Sequence, residues 1–390
     1  MRAVVCQHAE LAVRDLPEPV PARGQVLLQV EACGICGSDL HARHHAAELA
    51  QAAAATGYDH VMRPDDAVVM GHEVCATVLD HGPRTPARVR SGTRVAVFPL
   101  LRAAGAVHTT GLSPMAPGGY AERMLAEQSM VLPVPNGLAA DAAALTEPMA
   151  VALHAVRRGA VGSRQVAYVV GCGPIGLAVV AMLKATGVRT VVASDPSPGR
   201  RALAERMGAD LVVDPAAGSP FEPHADRHLT AAGLFELAVG SMEKLRALPL
   251  LPWWQVMRAA EAAGATPSGP VVFECVGVPG ILDHLIATAP LASRVVVVGV
   301  CMGQDAIRPA IAVNKEIDLR FVLGYTPREL RDALHLLAQG EVDPTPLLTG
   351  EVGLDGVAGA FDALADPGAL AKVVVRPGLA GTDLHLPPTP

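Results

Sequence analysis

The sequence predicts an α/β protein in two parts, a β-rich domain followed by a doubly wound parallel sheet. Three observations predict it. Tyr168-Val169-Val170-Gly171-Cys172-Gly173-Pro174-Ile175-Gly176-Leu177 runs from apolar, β-like residues through Gly-x-Gly-x-x-Gly into a helical pattern. From Gln165 to about Val300, apolar runs alternate with helical stretches. Before this, short β-like runs are punctuated by Pro and Gly turns.

The glycine-rich stretch has the context a dinucleotide fingerprint needs. Gly171 allows a tight turn, Gly173 lets backbone approach a pyrophosphate, and Gly176 lets helix and strand pack closely. Pro174 and Ile175 open the helix, whose N-terminus favours an anion. A second apolar run, Thr190 to Ala193, leads to Asp195, 195 − 176 = 19 residues past the last glycine. A carboxylate there accepts hydrogen bonds from a ribose diol and repels a 2′-phosphate, which favours NAD over NADP. Arg200 and Arg201 follow and would attract that phosphate; Asp195 weighs more because it sits at the strand end.

Composition narrows the classes. The chain has 390 residues, enough for two or three domains, with 51% hydrophobic and 18% charged residues. A net charge of −7 and the lack of any basic block argue against nucleic acid as a partner. The most apolar segment, around Leu245 to Met257, holds Arg246, two prolines and Gln255 and is too short to span a membrane. The start, Ala3-Val4-Val5-Cys6, lacks the profile of a signal peptide. Seven scattered cysteines form no disulfide pattern, so a cytoplasmic setting is expected.

In chain order, Val26 to Val30 is a strand after the turn Pro21-Ala22-Arg23-Gly24. Cys33-Gly34-Ile35-Cys36-Gly37-Ser38-Asp39-Leu40-His41 follows, then Met70-Gly71-His72-Glu73-Val74. Cys36, His72 and Glu73 supply a thiolate, an imidazole and a carboxylate, all zinc-ligand types. The Cys33/Cys36 pair lacks the second pair a zinc ribbon needs. Residues 42–69, with an Ala-rich helix at Ala46 to Ala55, read as an insertion near the site. Residues 99–117 contain no cysteine, so no four-thiolate zinc can form there. At Leu145-Thr146-Glu147-Pro148 the pattern turns helical. The expected domains are therefore 1–148, completed by about 325–390, and 149–324. The expected sheet strands are Val166–Val170, Thr190–Ala193, Leu211–Val213, Val271–Cys275 and Arg294–Val300. Between the third and fourth, Leu229 to Leu248 is an apolar-faced helix and Pro249 to Trp254 follows, either a lid on the core or a subunit contact or pocket wall. A helix at Pro327 to Gln339, another near Leu354 to Leu364 and a strand Lys372 to Val375 close the chain.

Taken together, the Cys36 segment, Gly71-His72-Glu73, Gly118-Gly119-Tyr120-Ala121-Glu122, Glu147-Pro148, the fingerprint and Asp195 resemble the zinc-dependent medium-chain alcohol dehydrogenase family. The Glu147-Pro148 element is most similar to the sorbitol, butanediol and threonine dehydrogenase branch. The resemblance implies a GroES-like catalytic domain and a Rossmann domain. It implies Cys36, His72 and Glu147 as zinc ligands, with Glu73 able to approach the metal. Whether Glu73 or Glu147 is the resting third ligand stays open. It implies Asp39 orienting the ligand histidine, and Ser38 and His41 as a proton relay. Val276, Val298, Gly299 and Val300 fall where the family packs the cofactor, and Phe98 and Met149 fall near the pocket. One zinc per chain is implied, because the cysteines of the structural-zinc lobe are missing.

The expected activity is hydride transfer between an alcohol, secondary or polyol, or its carbonyl form, and NAD. A nearby cation lowers the pKa of an alcohol, and the freed proton leaves through Ser38 and His41. A homodimer or homotetramer acting on a small molecule is expected. The competing readings are a zinc-free enone or quinone reductase of the same superfamily and a non-catalytic dinucleotide-binding protein.

Overall fold

The protein is described by a computed structural model covering residues 1–162, 165–247, 252–365, 368 and 370–386. The second half of the expected architecture is a six-stranded sheet, all parallel, in the order Leu211–Val213, Thr190–Ser194, Val166–Val170, Val271–Glu274, Arg294–Val297, Asp318–Phe321. The chain enters at the centre, winds one way, returns and winds the other. The switch falls between Val166–Val170 and Val271–Glu274, where such sheets open a crevice at their carboxyl ends. Strand residues alternate between two cores. Ala167 and Val169 face one, and Val166 and Tyr168 face the other. Both faces are covered, as the unbroken Val-rich runs require.

The first half is a mixed sheet in the order Val131–Pro133, Arg94–Val97, Glu73–His81, Gln25–Gly34, Lys372–Val375, Leu348–Val352, with Arg123–Glu127 also pairing onto Gln25–Gly34. Lys372–Val375 runs antiparallel to Gln25–Gly34, so the last strand of the chain lies beside the first segment of the candidate site. Helix Thr146–Gly159 crosses between the halves. Its inner face packs into the core shared with the fingerprint helix Pro174–Ala185, and the expected domain limit at 148 falls in its first turn.

Two expectations are refined here. The strand expected over Arg294–Val300 ends at Val297. Val298 and Gly299 instead turn back, their N–H groups donating to the Glu274 carbonyl at 2.9 Å each. The segment between the third and fourth strands also behaves differently from a simple lid. The sheet face is covered by Phe221, whose ring meets Tyr168 with centroids 4.8 Å apart, and by His228, whose Nε2 lies 2.8 Å from the Tyr168 hydroxyl. Helices Ala231–Arg246 and Trp253–Ala262 contain no buried residue. Phe235 is 67% and Trp254 54% exposed. Leu248 and the start of the expected Pro249–Trp254 stretch lie outside the described residues.

Residues 42–69 carry helix Ala46–Ala54 and then pack on the hairpin Leu100–Ala103/Ala106–Thr109. Tyr58 accepts the Thr109 N–H at 2.9 Å, and the His60 and His108 rings lie 4.8 Å apart. Buried His108 reaches Ser113 Oγ at 2.9 Å and the Ala103 carbonyl at 3.1 Å. Side-chain hydrogen bonds thus fasten this cysteine-free lobe. Among the described residues no helix is long and apolar enough to cross a membrane.

Candidate active site and metal centre

Cys36 caps the short helix Gly37–His44, and its N–H donates to Asp39 Oδ2 at 3.0 Å. His72 and Glu73 enter at the start of Glu73–His81, the strand that pairs directly with Gln25–Gly34. This register brings together residues far apart in sequence. Donor atoms of Cys36, His72 and Glu73 all lie within 4.8 Å of one another. Glu147 is not one of that trio, although its buried carboxyl feels the charges of His72 and Glu73.

Asp39 organises the imidazole. Its Oδ1 lies 3.3 Å from His72 Nδ1, an ion-pair contact not aligned as a hydrogen bond. Its Oδ2 accepts from the Tyr120 hydroxyl at 2.6 Å as well as from Cys36. Burial pushes the Asp39 carboxyl up, but His72 and the two hydrogen bonds outweigh it and hold the group below the usual carboxylate range. Burial likewise pushes His72 down, and Asp39 reverses this and raises it well above an ordinary imidazole. With Nδ1 facing Asp39, Nε2 faces Ser38 Oγ at 3.2 Å and is the nitrogen left for a cation. His41 is one turn beyond Ser38 on the same helix. Burial and the neighbouring His45 hold it below the usual imidazole range, so it is a neutral acceptor at pH 7.

Two further carboxylates differ in surroundings. Glu73 is fully buried, its Oε1 accepts from Lys372 Nζ at 2.6 Å, and its Oε2 has no partner. Burial pushes the Glu147 carboxyl up to about 7, against the attraction of His72. The Tyr325 hydroxyl, buried beside Cys36, faces the Glu147 carboxyl without a well-aligned hydrogen bond. Its ring meets Phe98 edge-on, with centroids 5.0 Å apart. Tyr325 follows the sixth strand, Asp318–Phe321, so the carboxyl end of the parallel sheet reaches the metal donors. Met149 is fully buried in the core of the second half.

The donor set fits zinc: a thiolate, an imidazole and carboxylates, with an orphaned buried carboxylate oxygen among them. The fingerprint also fits a dinucleotide. Gly171 adopts φ 93°, and a side chain on Gly176 would land on the Gly171 carbonyl. Gly173 has open space beside it and caps the helix that Pro174 and Ile175 begin. Asp195 accepts the N–H of Cys172 and of Ser197, each at 2.8 Å. Arg201 is spent on the Asp195 and Pro196 carbonyls and on Asp214, whereas Arg200 Nε is buried without a partner. Val276 and Val300 are exposed at the adjoining strand ends. Four residues with roles here carry no sequence motif for them: Lys372, Tyr325, Tyr120 as a donor, and Glu274, whose Oε1 accepts the N–H groups of Val276 and Gly277 at 2.7 Å each. A lysine opening the apolar run Lys372-Val373-Val374-Val375 was the one available signal.

Comparison with known proteins places this architecture. The chain matches the alcohol dehydrogenase GroES-like domain over residues 22–136 and the zinc-binding dehydrogenase family over residues 174–234. It is 29% identical over 382 residues to (R,R)-butanediol dehydrogenase of Bacillus subtilis (strain 168), covering 94% of this chain and 97% of that one. Sorbitol dehydrogenase of Gallus gallus is 26% identical over 376 residues, covering 93% and 92%. The crystal structure of 2R,3R-butanediol dehydrogenase from Bacillus subtilis superposes with a TM-score of 0.73 at 27% identity, covering 97% and 99%. A Sinorhizobium meliloti 1021 protein described as a zinc-binding dehydrogenase, and bound to NADP, gives 0.73 at 25%, covering 96% and 99%. A GroES-like half that carries a thiolate–imidazole–carboxylate cluster and a Rossmann half with a dinucleotide turn fit a dehydrogenase of the metal-assisted type. The two family matches and the butanediol and sorbitol dehydrogenase relatives support a zinc-type medium-chain alcohol dehydrogenase family and an oxidoreductase, with zinc and a nicotinamide nucleotide as the fitting cofactors.

Proposed function

We propose that the protein is an NAD-dependent zinc dehydrogenase of secondary alcohols, with vicinal diols and polyols as its substrate class. The observation that carries this is the convergence of Cys36, His72 and Glu73, with Ser38 hydrogen-bonded to the imidazole. Cys36, His72 and one of Glu147 or Glu73 would hold the zinc. When bound, zinc acidifies the substrate hydroxyl and the nicotinamide accepts hydride.

The chain's own residues do the rest. Ser38 Oγ takes up the hydroxyl proton and His41, neutral at pH 7, passes it toward solvent. Asp39 keeps the His72 ring oriented, and Tyr120 keeps Asp39 oriented. Phe98 and Tyr325 wall the site, and the Tyr325 hydroxyl, which faces the Glu147 carboxyl, offers a polar partner to a second substrate hydroxyl. That polar group supports a diol over a simple apolar alcohol, in line with the butanediol and sorbitol dehydrogenases among the relatives. Asp195 supports NAD, and the NADP held by the Sinorhizobium relative makes this preference a point to be measured. A homo-oligomer completes the proposal, with Phe321 exposed at the end of the open edge strand of the parallel sheet and Leu323 exposed just beyond it.

The test is a screen of secondary alcohols and vicinal diols for NADH formation, alongside metal analysis. About one zinc per chain and turnover of diols are expected. Metal-free protein that reduces enones with full rate would establish the zinc-free reductase instead.

A further inference from the structure

Lys372 stands where an apolar residue would fit. It begins the strand Lys372–Val375, whose other three residues are buried valines, and its own side chain is 2% exposed. Its Nζ donates to Glu73 Oε1 at 2.6 Å and to the Ile35 carbonyl at 2.9 Å. Stability alone does not account for such a pair, since a buried ion pair is often matched or bettered by apolar residues of similar volume. The other Glu73 oxygen, Oε2, is buried without a partner and occupies the space where any side chain on Gly34 would go. Glu73 is thus pulled from two directions: an ammonium holds one oxygen, and the donors Cys36 and His72 lie within reach of a cation it could join.

We propose that Lys372 is a positioning residue that keeps Glu73 a weak, exchangeable neighbour of the metal and so sets how tightly the metal is held. This rests on the zinc reading above. With Lys372 present, the ammonium neutralises Glu73, and the thiolate, the imidazole and Glu147 are left to the dication. With Lys372 absent, Glu73 becomes a lone buried carboxylate that, where zinc is present, is relieved by the cation rather than by an ammonium. The lysine therefore costs metal affinity, whereas a merely structural residue would support it.

The two roles predict opposite signs. Lys372→Met should lower the melting temperature of the zinc-free protein yet slow zinc extraction by a chromogenic chelator by about 10-fold or more. Lys372→Arg should return both toward the original. Equal or faster extraction from Lys372→Met would overturn the proposal. Should that variant fail to fold, Glu73→Gln serves. It leaves the ammonium unpaired beside the metal and should lose zinc faster, and Glu73→Gln/Lys372→Met should hold zinc better than Glu73→Gln alone. A double variant no better than the single would also overturn it. Unaltered protein that carries no zinc at all would instead remove the metal reading on which the proposal rests.

Discussion

The carboxylate of Asp195 accepts the backbone N–H of Cys172 at 2.8 Å, which ties the end of the second strand into the glycine turn of the first. Its other oxygen accepts Ser197 N–H, so the acid is part of the crevice wall before any ribose arrives. Cutting the side chain back therefore has two effects. Asp195→Ser should leave buried N–H groups unpaired and lower stability by about 1–3 kcal/mol. It should also lift the repulsion of a 2′-phosphate, with Arg200 the available cation. The ratio of kcat/KM for NAD over NADP should fall by about 10-fold or more, or roughly 1.4 kcal/mol. Equal turnover of the unaltered protein with both nucleotides would contradict the role given to Asp195.

Ser38 and His41 share one short helix, and the relay assigned to them separates from metal binding. Ser38→Ala should keep zinc and NAD but lose turnover by about 100-fold or more. His41→Ala should lose less, because solvent can substitute, and its defect should shrink as pH rises. Turnover rates across pH, with metal content measured on the same samples, check both. A Ser38→Ala enzyme as fast as the original excludes the hydroxyl.

Tyr120 sits beneath the metal donors without touching them. Its hydroxyl reaches Asp39 Oδ2 at 2.6 Å in a fully buried setting. Tyr120→Phe should therefore cost about 1–3 kcal/mol of stability. It should also let Asp39 rotate and weaken zinc retention by about 10-fold. Thermal melts and chelator competition give the two numbers. Unchanged zinc retention would confine Tyr120 to packing.

The parts of this molecule that were legible in the sequence are those written in local patterns. The fingerprint strand, turn and helix are contiguous, and Asp195 follows at a set distance, so the parallel sheet and its crevice could be read directly. The Lys372–Glu73 pair could not, because 299 residues separate its partners and only the antiparallel docking of the last strand joins them. Glu274 was hidden for another reason. Its charge sits in an apolar strand, and its use becomes clear only when the following loop folds back onto it. The helix Ala231–Arg246 was legible as a helix but not in its burial. Periodicity shows that Phe235 and Val239 share a face, not what that face meets.

Glu147 gives the sharpest pH test. Its carboxyl, raised to about 7 chiefly by burial, takes up a proton on folding between the unfolded value of 4.5 and that point. The zinc-free native state then binds more protons than the unfolded chain. Its stability must fall as pH rises from about 4.5 to 7 and level off above, by on the order of 3 kcal/mol from this group. Zinc needs the carboxylate, so zinc affinity should rise over the same window. Glu147→Gln should flatten both curves. The competing role is a first-turn acid of helix Thr146–Gly159, worth under about 1 kcal/mol and indifferent to metal. The two separate cleanly when Glu147→Ala is dialysed against a mild chelator. A ligand carboxylate predicts zinc loss faster by about 10-fold or more, restored in part by Glu147→Cys. Full zinc and full turnover in Glu147→Ala would leave it a helix-terminal acid. The third place on the metal would then pass to Glu73, a carboxylate oxygen of which already lies within 4.8 Å of the Cys36 and His72 donors.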